Sequence, residues 1–211
     1  WLRVERLESR NLLATLFVDN PSDFVVTNDA DASGGVATPG DTVTFTPGAG
    51  SQHGAPVAGL TFGTNAFGSI QAAVNAATAG DTIRVGPGTF NESVNVTKQL
   101  FVLGNQVDVD AQTGRVGAAE SIVNSGGGTG FNVGVSDVVI NGFTIQGATN
   151  GATGFGLTLI AGTSGSEIRN NIIQSNIAGL SLANASASNQ TIITGNLFQN
   201  NNSPGPVSGT A

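Results

Sequence analysis

No cysteine occurs in the 211 residues, so neither a disulfide framework nor a thiolate metal site is available. Methionine and tyrosine are absent too, and the single tryptophan is the first residue. Any sugar-binding face along the chain would therefore lack tyrosine platforms. Lysine and arginine together number 7 against 14 acids, giving a formal charge of −7 and a pI near 4.3. Nucleic acid and anionic membrane both demand basic patches, so neither is an expected partner. No apolar run approaches the roughly 20 residues that span a bilayer, so no transmembrane segment is expected.

Charged residues make up only 10% of the chain, yet 39% is hydrophobic and there are 31 glycines. That balance argues against simple disorder, above all in the second half. The lack of cysteine is neutral on compartment, whereas few lysines and Asn-, Thr- and Gly-rich repeats fit a secreted or cell-surface protein. The chain opens on Trp1 and stops in Asn202-Ser203-Pro204-Gly205-Pro206 just past a repeat, so both ends read as cut.

The chain is organised around Ser69-Ile70-Gln71-Ala72-Ala73-Val74-Asn75-Ala76-Ala77 and the strand directly after it. Ile70, Ala73, Val74 and Ala77 fall at i, i+3, i+4 and i+7, which predicts a short helix with one apolar face. Ser69 is its expected N-cap, and Gly80 its expected left-handed stop. Thr82-Ile83-Arg84-Val85 then alternates as a half-buried strand does, until Pro87-Gly88. A short apolar helix feeding the first strand of a repeat array is the expected form of an end cap.

Residues 15–66 read as an irregular lead-in. Leu16-Phe17-Val18, Phe24-Val25-Val26 and Thr42-Val43-Thr44-Phe45 are its strand candidates. Asp29 and Asp31 open a run with oxygen ligands at alternate places and Gly34 sixth, as in a calcium loop. The twelfth place is Gly40, with Asp41 one residue late, so a solvated acidic loop is the competing reading. His53, the one histidine, lies in a Gly-rich stretch and is expected on a surface loop.

From residue 83 the chain repeats. Ile140, Ile168 and Ile193 begin three similar segments spaced 168 − 140 = 28 and 193 − 168 = 25 residues apart. The Gly-apolar-polar-apolar segments starting at Gly130, Gly156 and Gly179 keep step at 26 and 23. Two series drifting together mean one coil per repeat, each with at least two short strands. Stacked at roughly 4.8 Å per coil, such strands pair with their counterparts above and below. Ile140, Ile168 and Ile193 would form one inward column, and Phe131, Leu157 and Leu180 another. The spacing is too short for propeller blades, and the unequal loops break the hexapeptide rule of left-handed helices. The expected fold is all-β: a right-handed parallel β-helix over 67–211 with a short N-terminal capping helix.

The segments Ser69–Val74, Gly80-Asp81-Thr82-Ile83-Arg84-Val85, Pro87-Gly88-Thr89-Phe90-Asn91-Glu92 and the later Gly-Phe-Thr-Ile and Asn-Asn-Ile-Ile repeats carry a resemblance. They are similar to the pectin-lyase-like superfamily, closest to its bacterial carbohydrate-binding and sugar-hydrolase β-helix repeats, with Phe90 where tyrosine is usual. The resemblance implies the fold more than the function, because lyases, hydrolases, adhesins and plain scaffolds share that shape. Separately, Leu7-Glu8-Ser9-Arg10-Asn11-Leu12-Leu13-Ala14 resembles the Leu-Glu-Pro-Arg-x-Leu-Leu-Ser segment of planctomycete surface and secreted proteins. That implies export or surface attachment for segment 1–14; a frayed amphipathic helix is the other reading.

Chemistry is sparse. From 138 to 211 there is no aspartate, and the only charges are Glu167 and Arg169, so an acid/base pair across a glycosidic bond cannot come from those coils. A lyase would draw on Asp81, Glu92, Asp108, Asp110 and Asp137, with Arg84, Lys98, Arg115 or Arg169 as base. Asp108 and Asp110 would face one side if their segment were extended, a second candidate calcium or sugar contact beside Asp29 and Asp31. No other cofactor is expected, and no catalytic residue stands out. Asn171 and Asn196 fall in register as a structural ladder, and Gln146, Gln174 and Gln199 form a second file. Outward amides of that file are the candidate carbohydrate contacts. The expected function is a non-catalytic extracellular scaffold or adhesin with weak binding of polysaccharide or cell-envelope glycan. The alternatives are a polysaccharide lyase or hydrolase with its site largely elsewhere, and a surface segment that associates end to end.

Overall fold

A computed structural model describes residues 13–115, 119–151 and 153–202. The segment 1–14, expected from its sequence to serve export or surface attachment, lies, apart from Leu13 and Ala14, outside the described residues. The described chain is mostly β, with parallel sheets and one helix.

The lead-in supplies β1 (Thr15–Val18), β2 (Val25–Asn28), β3 (Thr42–Phe45), β4 (Val57–Thr61) and β5 (Ala66–Phe67), followed by α1 (Ile70–Ala76). Three rounds of three short strands come next in regular order. The first is β6 (Thr82–Val85), β7 (Gly88–Phe90) and β8 (Val94–Val96); the second is β9 (Phe101–Leu103), β10 (Ser121–Asn124) and β11 (Phe131–Val133); the third is β12 (Val139–Asn141), β13 (Phe143–Gln146) and β14 (Phe155–Thr163). A fourth round, β15 (Glu167–Arg169), β16 (Ile172–Gln174) and β17 (Ala178–Asn184), precedes β18 (Ile192–Thr194) and β19 (Leu197–Gln199). Strands of equal rank pair in parallel. They form a seven-stranded sheet ordered β18-β15-β12-β9-β6-β1-β5, a five-stranded sheet β19-β16-β13-β10-β7 and a four-stranded sheet β17-β14-β11-β8. Such stacking is compatible with a β-helix-like or solenoid architecture.

The register builds an apolar column in each sheet. Leu16, Ile83, Val102, Ile140, Ile168 and Ile193 are consecutive partners in the first sheet. Phe90, Val123, Ile145, Ile173 and Phe198 do the same in the second, and Val94, Phe131, Leu157 and Leu180 in the third. A strand of three or four residues orders only because each such side chain, fully buried, contributes about 1.5–3 kcal/mol. Ile140 and Ile168 are fully buried, whereas Ile193 and Phe198, on the last strands described, remain 38% and 44% exposed. What reads in sequence as one strand per Ile repeat is two strands, bent at Gly142, Asn170 and Gly195. These residues hold left-handed φ values of 87°, 53° and 63°, which glycine and asparagine tolerate.

Helix α1 closes the end of this core with Ile70, Ala73 and Val74, as its periodicity requires. Ser69 is the N-cap, its Oγ accepting from the Ala72 N–H at 3.2 Å. The expected stop at Gly80 is displaced: the helix ends at Ala76 with Ala77 in an extended conformation. Lys98 explains the early end, since its Nζ donates to the carbonyls of Val74, Asn75 and Ala77 at 3.1, 2.8 and 2.6 Å. Those carbonyls need no left-handed cap.

Residues 15–66 divide between two packings. β1 lies in the seven-stranded sheet beside β6, with Leu16 and Val18 in the main core. Its alternate residue Phe17 points the other way, into a separate core with Phe24, Val43, Phe45 and Leu60 under the antiparallel sheet β2-β3-β4. His53 is buried rather than a surface residue. Its Nε2 lies 2.9 Å from the Val85 carbonyl, and its ring is 6.1 Å from that of Phe45.

Candidate functional site

Several of the acids and bases that a lyase would draw on make structural contacts. Asp81 accepts from the N–H groups of Ala14 and Thr78 at 2.7 Å each, fixing the entry to β6. Glu92 accepts from Ile70 N and Gln71 N at 2.8 and 2.9 Å, which satisfies two orphan donors at the start of α1. Lys98 occupies the other end of the same helix. Asp137 takes the Asn189 amide at 2.9 Å, and Arg169 lies 3.4 Å from Glu167. Arg84 reaches the His53 carbonyl at 3.4 Å. Arg115 is buried against Glu120 at 2.9 Å and also donates to the carbonyls of Phe143 and Asn170. Burial pushes the Glu120 carboxyl up, with the Arg115 charge opposing. Among the described residues none of these acids belongs to a cluster of three.

Asp29, Asp31 and Asp41 do come together, with one oxygen from each within 4.8 Å of the others. Asp41, one place late for a calcium loop in the sequence, closes the group. The trio is occupied by its own loop: Asp29 accepts from Ser33 N and Gly34 N, Asp31 from Ser33 N and Thr38 Oγ1. Asp41 takes Ala30 N, Thr38 N and Thr38 Oγ1. Hydrogen bonds from Ser33 hold the Asp31 carboxyl below the usual range, and those from Thr38 and Ala30 do so for Asp41. Asp108 and Asp110 are exposed in a turn rather than an extended segment; Asp108 has φ 63° and accepts from Asn141 Nδ2, while Asp110 accepts from Gln112 N. Among the described residues they join no group of three acids.

Two internal asparagine ladders flank the five-stranded sheet. Asn171 Oδ1 takes the Phe143 N–H at 3.0 Å, and Asn171 Nδ2 gives to the Ile140 carbonyl at 3.0 Å. Asn196 repeats the pattern one coil on, with Asn171 N and the Ile168 carbonyl. The second ladder, Asn176 and Asn201, does the same for Ala148 N and Asn176 N. Its signal in the sequence is the Asn176–Asn201 spacing of 25, equal to that of Asn171–Asn196, which the repeat pattern of the isoleucines overshadows. The glutamine file lies outside: Gln174 Nε2 gives to Gln146 Oε1 at 3.0 Å, and Gln199 Nε2 to Gln174 Oε1 at 2.8 Å.

A groove of about 440 Å³ opens on a different face, the outer side of the four-stranded sheet. Ser93, Asn95, Thr129, Asn132, Thr153, Phe155 and Thr158 line it. The register places Asn95, Asn132, Thr158 and Ser181 side by side along the stack. Asn132 Nδ2 donates to Asn95 Oδ1 at 3.1 Å, and Thr129 Oγ1 to the Thr153 carbonyl at 2.8 Å. Phe155, half-buried, is the one aromatic in the lining. Among the described residues no charged side chain lines it. The alternation of Asn132 between inward Phe131 and Val133 is the available sequence signal, but strands this short give no hint of which outward file borders a hollow.

The chain matches no family model, no curated protein and no solved structure. No helix among the described residues is long and apolar enough to cross a membrane.

Proposed function

We propose that this chain is a right-handed parallel β-helix module of the pectin-lyase-like kind that binds polysaccharide or cell-envelope glycan at a cell surface or in secretion, and does not cleave it. Three parallel sheets visited in strict rotation support the fold, since crossovers between parallel strands are right-handed in nearly all proteins. One observation carries the function: among the described residues the groove is lined by amides, hydroxyls and a phenyl ring and by no carboxylate or base. Such a lining can orient a sugar chain and cannot protonate a leaving oxygen or activate water. Calcium is not required for this reading; the Asp29–Asp31–Asp41 loop is the place where an ion would bind if glycan capture proved calcium-dependent. A glycan-array screen of the protein, with calcium and with chelator, tests the proposal. Reproducible capture of a glycan supports it, and a blank array under both conditions contradicts it.

A second reading rests on the last described coil, which leaves Leu182, Ile192, Ile193 and Phe198 between 38% and 52% exposed. Those side chains suit the stacking of another β coil, hence self-association. Light scattering across a concentration series distinguishes the two readings: growth of mass with concentration favours stacking.

A further inference from the structure

We infer that the groove on the four-stranded sheet takes a neutral, extended glycan, running along the stack with its sugar rings against Phe155. The inference rests on the glycan-binding reading above and narrows it to one site and one ligand class.

Charge comes first. Uronate, sulfated and phosphorylated glycans carry an anion at most residues, and an anion drawn into a pocket without a cation loses hydration for nothing. The seven lining residues include no lysine, arginine or histidine, and the chain as a whole is at −7. Neutral hydroxyls instead need mixed donors and acceptors at modest cost. Asn132 uses one amide hydrogen on Asn95, and its Oδ1 accepts from no described residue. Thr158 Oγ1 has no partner among the described residues either, but it is shielded from solvent, so Thr158 contributes wall and not a ready hydrogen bond.

Shape comes next. The Asn95–Asn132–Thr158 file repeats once per coil, at the ~4.8 Å spacing of paired strands. This spacing is close to the length of one pyranose in an extended chain, so successive sugars meet successive coils in equivalent positions. Thr129 and Phe155 belong to neighbouring coils, three residues before Asn132 and Thr158, and are joined through the Gly130 N–H to Phe155 carbonyl bond of 3.1 Å. The phenyl ring is the apolar member of an otherwise polar lining, which matches the two characters of a sugar ring: hydroxyls at its edge and C–H groups on its face. The glutamine file, in contrast, lies on another sheet, is tied amide to amide, and has no aromatic among its members.

Calorimetric titration of the 211-residue chain with cello-, xylo- and manno-oligosaccharides, and with oligogalacturonate, tests the inference. Phe155→Ala, Asn132→Ala and Gln174→Ala are titrated in parallel. Phe155→Leu serves as a variant that keeps apolar bulk, and a thermal melt of each checks folding. At least one neutral series is expected to bind more tightly than oligogalacturonate. Phe155→Ala and Asn132→Ala are each expected to weaken that binding roughly tenfold, with Gln174→Ala unchanged. Preference for oligogalacturonate, or neutral binding that survives both groove substitutions in folded protein, overturns the inference while leaving glycan recognition standing. No binding of either charge class overturns the glycan reading itself, and the inference with it.

Discussion

Asn196 Oδ1 accepts two hydrogen bonds from Asn171 one coil away, from the main-chain N at 2.8 Å and from Nδ2 at 3.1 Å. The same relationship joins Asn201 to Asn176 at 3.2 and 3.1 Å. Each asparagine sits just after a left-handed residue, at Asn170, Gly195, Ser175 and Asn200, where the chain turns and the sheet cannot supply a partner for the next N–H. A side-chain amide supplies both an acceptor and a donor at that point, so the turn is closed by protein groups.

Asn171→Leu is expected to destabilise by about 2–4 kcal/mol, since it orphans the buried Phe143 N–H and the Ile140 carbonyl together. Gln146→Ala, on the outer file, is expected to stay within about 0.5 kcal/mol of wild type. Denaturant unfolding of the two variants checks the contrast. Equal losses would contradict the division into inner ladders and outer file.

The helix α1 is held from both ends by one segment, with Glu92 on its first N–H groups and Lys98 on its last carbonyls. Glu92→Ala and Lys98→Met are each expected to cost about 1–2 kcal/mol, the range of a lost cap. Because both side chains come from the segment around β8, the double variant is expected to loosen the whole end cap. Hydrogen exchange at Ala73 and Val74 would then rise more than in either single variant.

The repeat spacing in the sequence shows why one layer is legible and another is not. Ile140, Ile168 and Ile193 recur because a column must be filled at every coil, and their pairing comes from that alone. The bend that splits each repeat into two strands is set by a single left-handed residue, glycine at 142 and 195 but asparagine at 170, so its signature is faint. His53 is a different case. It reads as exposed because its neighbours are glycine, alanine and serine, yet the Val85 carbonyl and Phe45 ring that enclose it lie 32 and 8 residues away. The groove is illegible for a related reason: Phe155 and Asn132 lie in neighbouring coils and line one groove only because the coils stack.

Two buried groups make stability respond to pH in opposite directions. Burial pushes the Asp19 carboxyl from its ordinary 3.8 up to about 7, with the Asn20 N–H opposing and Asp23 adding its charge. Folded protein therefore keeps a proton that the unfolded chain releases, and this contribution is full below pH 3.8 and lost as pH rises to about 7. Burial pushes His53 from 6.5 down to about 4, with the bond to Val85 opposing and Arg84 adding. Its contribution is full above pH 6.5 and lost as pH falls to about 4. Over the shared window the two oppose each other. Relative to wild type, Asp19→Asn is expected to lose more stability on acidification through that window, and His53→Gln to lose less. Urea midpoints across a pH series decide it; the reverse pair of slopes would contradict the assignment.

Arg115 ties the loop after β9 to the turns of two later coils through Phe143 and Asn170, and neutralises Glu120. Arg115→Met is expected to cost about 3–5 kcal/mol by leaving Glu120 buried and unpaired. Adding Glu120→Gln is expected to restore part of that loss. A thermal-melt cycle over the four proteins checks it, and simple additivity would contradict the pairing.

Recognition without cleavage is the central claim, and prolonged incubation with a bound glycan followed by an assay for new reducing ends and unsaturated products tests it most directly. The structure-based expectation is a glycan that stays bound and yields neither product. Appearance of either, lost again when Asp81, Glu92, Asp108, Asp110 or Asp137 is replaced in folded protein, would show a catalytic site and contradict the claim.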